Sequence, residues 1–172
     1  MKKDLILAND PGANGAIVLL TDKGKIYKII QTPSYKEKTT TGKTSNHVDG
    51  IEIVRILKPH KDRIKFAILE KVYSRHNQGV KSMFTFGGNF RVIEGILNAW
   101  EIPVHFVEAK TWQEFVGYKN LMDSDTKLKS RLLVEKHFGS DSFMVDGKSL
   151  IKKDGITDAS LIGLYGIKKI KG

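Results

Sequence analysis

The sequence predicts an α/β domain built on a five-stranded mixed sheet, in which an antiparallel three-strand meander joins two parallel strands and helices flank both. Three observations predict it. The apolar runs Leu5-Ile6-Leu7-Ala8 and Ala16-Ile17-Val18-Leu19-Leu20 are separated by Asp10-Pro11-Gly12-Ala13-Asn14-Gly15, a turn-rich stretch that makes them a hairpin. A second turn, Asp22-Lys23-Gly24, leads into a third run at 25–32, so three consecutive strands are antiparallel. After that, helical patterns alternate with short apolar runs, and a run that follows a helix in this way is a parallel strand buried on both faces.

In order, residues 4–10 and 15–21 form the first hairpin and 25–32 the third strand. Pro33 to Asn46 has no apolar period and is dense in Thr, Lys and Gly, which predicts a mobile surface loop. Its Gly42-Lys43-Thr44 lacks the first glycine and the strand-loop-helix setting of a phosphate loop, and is rejected as one. His47 to Lys58 predicts an amphipathic helix with Asn46 as N-cap, His47 facing solvent and Pro59 as stop. Arg63 to Glu70 is the fourth strand, and its closing carboxylate repeats the placement of Asp10. Residues 77–100 predict a long helix, apolar on more than one side; Gly79, Gly87, Gly88 and Gly95 imply close approach of another backbone and a helix shared with a second subunit. Residues 103–107 form a fifth strand, 109–117 a short helix, 118–124 a polar connection and 125–138 a helix stopped by Gly139. Residues 140–150 are irregular. A final helix from Asp154 to about Lys168 buries Ile156, Ala159, Leu161, Ile162, Leu164 and Tyr165. Asp154 and Asp158, four residues apart, lie on one face of it, one turn above the other.

Composition bounds the function. At 172 residues the chain is one domain over 1–172, large enough for a core without staples. The absence of cysteine excludes disulfides, thiolate zinc sites and cysteine nucleophiles. No run of 18 apolar residues occurs, and Met1-Lys2-Lys3-Asp4 runs straight into a strand, which predicts a soluble cytoplasmic protein with no membrane contact. Twenty-nine Lys and Arg against nineteen Asp and Glu give a net charge of +10, which favours a polyanionic partner bound by the folded body.

The first and fourth strands, side by side and parallel, would set Asp10 next to Glu70, and the last helix could bring Asp154 and Asp158 to the same edge. Four carboxylates crowded together repel unless neutralised, and divalent cations are the usual remedy. Hard oxygen ligands without a Cys or His cluster point to Mg²⁺ or Mn²⁺ and to no small-molecule cofactor. Two such ions can activate a water and stabilise the leaving oxygen of a phosphodiester.

On these residues the chain resembles the RuvC-type Holliday junction resolvases of the RNase H-like superfamily, above all the phage-borne branch. The resemblance spans nearly the whole chain. It rests on Asp10-Pro11-Gly12 with Gly15, on Glu70-Lys71-Val72-Tyr73, on Lys110-Thr111-Trp112 and on Asp154-Gly155-Ile156-Thr157-Asp158-Ala159, in that order and spacing. It implies an RNase H-like fold and a homodimer that binds four-way DNA junctions in the cytoplasm, that of the host for a phage-borne protein. It further implies paired Mg²⁺-dependent nicks, leaving 5′-phosphates and 3′-hydroxyls. Asp10 would bridge the metals, with Glu70 and Asp158 as further ligands, and Tyr73 stands where the family carries an aromatic that wedges against junction bases. The family's fourth acid lies three residues before the last Asp; that place is Gly155 here, and the role is assigned to Asp154 instead. Asn9 departs from an apolar strand and needs a hydrogen-bond partner if buried. The DNA contacts expected beside the acids are Lys71, Arg75, Lys81, Lys110, Lys119 and Lys153, with Tyr73. Two alternatives stand beside a junction endonuclease: another RNase H-like nuclease, cutting RNA-DNA hybrids or a broader range of branched and single-stranded DNA, and a non-catalytic junction binder.

Overall fold

The computed structural model describes residues 3–38, 42, 44–73, 79–122 and 125–169. Strands β1 (Leu5–Asp10), β2 (Ala16–Thr21) and β3 (Ile26–Gln31) form the predicted meander. Next come β4 (Ser34–Lys38), β5 (Thr44–Val48) and helix α1 (Gly50–Leu57), which passes through a 3-10 segment, Lys58–Arg63, into β6 (Ile64–Lys71). Helix α2 (Val80–Ala99), β7 (Val104–Glu108), α3 (Ala109–Val116) and α4 (Thr126–Phe138) follow. A two-residue ribbon of β8 (Met144–Val145) and β9 (Lys148–Ser149) precedes the last helix, α5 (Asp154–Lys169). The main sheet runs β3-β2-β1-β6-β7, with β1, β6 and β7 parallel, as the sequence predicts.

Two cores sandwich the sheet. Along β1 the side chains alternate: Leu5 and Leu7 join Ile17, Leu19, Ile53, Leu57, Ile93 and Leu97 under α1 and α2. Ile6 and Ala8 join Val18, Leu20, Ile68, Trp112, Val134 and Ile162 under α3, α4 and α5. Each fully buried Leu, Ile or Val contributes roughly 1.5–3 kcal/mol relative to leaving it in water, so a one-residue slip of β1 would forfeit both sets at once. A two-pronged ion pair pins the start of the β1-β6 register, Arg63 Nε on Asp4 Oδ1 at 3.0 Å and Nη2 on Oδ2 at 2.9 Å. Among the described residues no helix is long and apolar enough to cross a membrane.

Several sequence expectations need correction. The stretch expected to be a mobile loop is a hairpin, β4 paired with β5 from Ser34↔Val48 to Lys38↔Thr44. His47 therefore lies in a strand, and α1 begins three residues later, where Asp49 caps it by accepting the Glu52 N–H at 3.0 Å. Helix α2 is present, but Gly79, Gly87, Gly88 and Gly95 meet no other backbone among the described residues. The polar connection after α3 contains Tyr118, which is buried in the core.

Candidate active site

The alternation that builds the cores also places the acids. Continuing it along β1 puts Asn9 on the α1/α2 face and Asp10 on the α5 face; along β6, Phe66 and Ile68 enter the α5-side core, so Glu70 faces the same way. Because β1 and β6 are parallel neighbours paired through Asn9↔Leu69, Asp10 and Glu70 leave the sheet side by side at its carboxyl edge. This is where α/β sheets bind ligands.

Helix α5 starts over that edge at the closest range its backbone allows. A Cβ on Gly155 would lie 2.8 Å from the Asn14 carbonyl oxygen and 2.8 Å from the Gly15 Cα, and one on Gly15 would lie 2.0 Å from the Asp10 carbonyl oxygen. No side chain fits at 155 unless one of these segments shifts, and the helix's first carboxylate is that of Asp154. Asp158 follows one turn later on the same face.

The four carboxylates sense one another. Burial holds the Asp10 pKa well above the ordinary carboxylate range, and the charges of Asp158, Glu70 and Asp154 push it further. Asp158 is pushed up to about 6, chiefly by burial; a hydrogen bond from Ser130 lowers it, while Glu70 and Asp154 raise it. Three of the acids are held by protein partners. Trp112 donates its Nε1–H to Glu70 Oε2 at 2.7 Å, and Ser130 donates to Asp158 Oδ1 at 2.6 Å. Ser130 is itself bonded to the Tyr118 hydroxyl. Asp154 pairs with Lys127 at 2.8 Å and Arg131 at 3.4 Å, both from α4.

Among the described residues, no three Asp, Glu or His side chains form a group ready to hold a metal ion as they stand. The chemistry of the donor set fits a hard divalent cation all the same: oxygen donors only, half-buried, with Asp10 and Asp158 raised in pKa by burial and then by the neighbouring carboxylates, a cost that a cation would relieve.

Beside the acids opens a cleft of about 940 Å³. It runs from Asp10 and Asp154 past the β1-β2 turn to Phe86 on α2, Thr44 and Asn46 on β5, and Lys152 and Lys153 ahead of α5. Of the expected DNA contacts, Lys153 lines this cleft and is bonded to Gln31. Tyr73 is 56% exposed, its hydroxyl donating to Glu108 at 2.8 Å and its ring lying 5.1 Å from Lys71 Nζ. Lys110 is exposed in the first turn of α3, and Lys119 pairs with Glu114. The side chain of Lys81, and Arg75 altogether, lie outside the described residues.

Asn9, 2% exposed, is partnered on its nitrogen: Nδ2 donates to the carbonyls of Ala16 at 3.0 Å and Asp10 at 3.1 Å, tying the strand ends that carry the site, while its buried Oδ1 accepts from no described residue. Residues missed from the sequence are Ser130, Tyr118, Lys127 and Arg131. The only local signal was a serine on the buried side of the helix at 126–138; the two cations look like any solvated helix face.

No protein-family model matches the chain, and no curated protein is similar to it in sequence. Solved structures are. The chain is similar to T. thermophilus RuvC in complex with Holliday junction substrate, with a TM-score of 0.60 and 8% identity over 96% of this chain and 95% of that one. It is similar to a second Thermus thermophilus RuvC structure, with TM-score 0.52 and 10% identity over 95% of each chain. The yeast mitochondrial Holliday junction resolvase Ydc2 matches with TM-score 0.52 and 10% identity, over 97% of this chain and 79% of its own. At such identities the likeness is one of fold: this chain has the RNase H-like fold of the RuvC-type resolvases.

Proposed function

We propose that the chain is a metal-dependent endonuclease that resolves four-way DNA junctions. The observation that carries the reading is the convergence of Asp10, Glu70 and Asp158 at one sheet edge, each raised or raising its neighbours in pKa, on a fold shared with junction-resolving enzymes. Asp10, Glu70 and Asp158 would hold two Mg²⁺ or Mn²⁺ ions, with Asp154 as a fourth ligand once it parts from Lys127 and Arg131. Bound there, the ions supply an activated water and charge stabilisation for the leaving oxygen, so that hydrolysis leaves 5′-phosphate and 3′-hydroxyl ends.

The chain's own groups do the rest. Trp112 and Ser130 orient Glu70 and Asp158, and the buried setting strengthens every charge interaction with the reacting phosphate. Lys71, Arg75, Lys81, Lys110, Lys119 and Lys153 are proposed to neutralise the DNA backbone, and Tyr73, exposed beside Glu70, to stack on an unpaired junction base. Paired nicks need two such sites, hence a homodimer. Helix α2 offers the face for a second copy, with Val80 and Phe84 exposed in line with Gly87 and Gly88. Action in the cytoplasm, the host's for a phage-borne protein, completes the proposal.

The test compares cleavage of a four-way junction, a fork, linear duplex and an RNA-DNA hybrid at equal concentrations with Mg²⁺. The junction should be cut fastest, by symmetric nicks. Strongest cutting of the hybrid would reassign the chain to another RNase H-like activity, and tight junction binding without cleavage would make it a binding protein.

A further inference from the structure

Apart from Val48, the described residues of the β4-β5 hairpin give no side chain to either core, yet it is held firmly. Asn89 on α2, 8% exposed, accepts the Val48 N–H at 2.9 Å and donates to the Asn46 carbonyl at 3.0 Å. The Asp49 N–H closes the hairpin's base on the Pro33 carbonyl at 2.8 Å. A buried amide that spends both its acceptor and its donor on an exposed hairpin fixes where that hairpin stands.

It stands as one wall of the cleft beside the acids, and strand register decides which residues of β4 stand behind its lining. Ser34↔Val48, Lys36↔Asn46 and Lys38↔Thr44 are paired, and directly paired residues share a face of a two-stranded ribbon. Val48 points into the core, and Thr44, Ser45 and Asn46 line the cleft; Lys36 and Lys38 stand directly behind that lining, on the face they share with Asn46 and Thr44. Glu37, the hairpin's acid, occupies the opposite face, where it pairs with His47 at 3.1 Å while His47 stacks on Tyr35. Lys36 and Lys38 are exposed, and neither is in an ion pair with a described residue. Across the cleft stand Lys152 and Lys153, and at its end Asp10 and Asp154. Lysines along one wall and just behind the other, hydroxyls and amides between them and carboxylates at one end suit a threaded polyanion. Lys36 and Lys38 lie about 7 Å apart along their strand, a spacing that serves consecutive phosphates.

We propose that the β4-β5 hairpin is a strand guide: Lys36 and Lys38 hold backbone phosphates of the DNA strand beside the scissile bond, opposite Lys152 and Lys153. Phosphates rather than base edges are gripped, so the contact is independent of sequence. The proposal rests on the nuclease reading above, and its test separates the two. Binding of a four-way junction is measured in EDTA over a salt series for the unaltered chain, for Lys36→Ala/Lys38→Ala, and for Lys23→Ala/Lys65→Ala, whose lysines are exposed at the opposite end of the sheet. Two lost phosphate contacts should lower the slope of log K against log salt by about 1.4–1.8, with the control pair unchanged. A slope equal to that of the unaltered chain, or an equal drop from the control pair, overturns the strand guide while leaving the nuclease reading in place. An unaltered chain that binds no junction overturns both.

Discussion

Replacing Asp158 with Asn should stabilise the metal-free protein. Asp158 is pushed up to about 6 from an ordinary value of 3.8, chiefly by burial and then by Glu70 and Asp154, against the hydrogen bond from Ser130. A carboxyl whose folded-state pKa is raised holds its proton more tightly folded than unfolded. Its contribution to stability is therefore fullest below pH 3.8 and declines as pH rises through about 6. The shift is about two pH units, and at about 1.4 kcal/mol per unit the ionised form costs on the order of 3 kcal/mol at pH 7. Asn keeps the shape, can still accept from Ser130 and carries no charge. The variant should gain about 1–3 kcal/mol at pH 7, which for a chain of this length is roughly 3–10 °C in Tm. The assay is thermal unfolding in chelator at pH 7 and at pH 4. The gain should vanish at pH 4, and Mg²⁺ should raise the Tm of the unaltered chain more than that of the variant. A variant that melts at or below the unaltered protein at pH 7, or one whose gain is equal at both pH values, would refute the electrostatic reasoning.

Three further outcomes are expected. Gly155→Ala puts a methyl 2.8 Å from the Asn14 carbonyl oxygen, and should cost about 1–3 kcal/mol in denaturant unfolding as α5 is forced off the β1-β2 turn. Trp112→Phe removes the donor to Glu70, and should raise the Mg²⁺ concentration for half-maximal cleavage by roughly 10–100-fold, more than any loss of stability explains. Asn89→Ala strands the Val48 N–H and Asn46 carbonyl at a cost of about 1–3 kcal/mol, so hydrogen exchange at the Val48 amide should quicken while the β1-β2 amides keep their protection.

The main sheet and the edge that carries the acids were legible because both follow from apolar periodicity. Five apolar runs separated by turn residues or helices, three of them buried almost throughout, leave few ways to pair, and the alternation in β1 and β6 sets Asp10 and Glu70 on one face. The β4-β5 hairpin was illegible for the converse reason. Ser34–Lys38 is exposed throughout, so it has no buried face to read, and what anchors it is an amide 41 residues away from Val48. The false start of α1 followed, since Val48 and Ile51 fit a helical stripe while a strand runs through Val48. Asp154 was legible as an acid near the site, but not the reason for its place: that depends on how closely α5 meets Gly15, a contact between segments about 140 residues apart. Ser130 and Tyr118, which steady Asp158, carry no pattern beyond a serine on the buried side of its helix, because hydrogen bonds across a core leave no periodic trace.

The central claim is that Asp10, Glu70 and Asp158 share divalent cations. Crystals soaked in Mn²⁺ and measured for its anomalous scattering test it most directly. The account predicts manganese between those three carboxylates, with Trp112 and Ser130 still bonded to Glu70 and Asp158; manganese bound only elsewhere, or none bound, would contradict it.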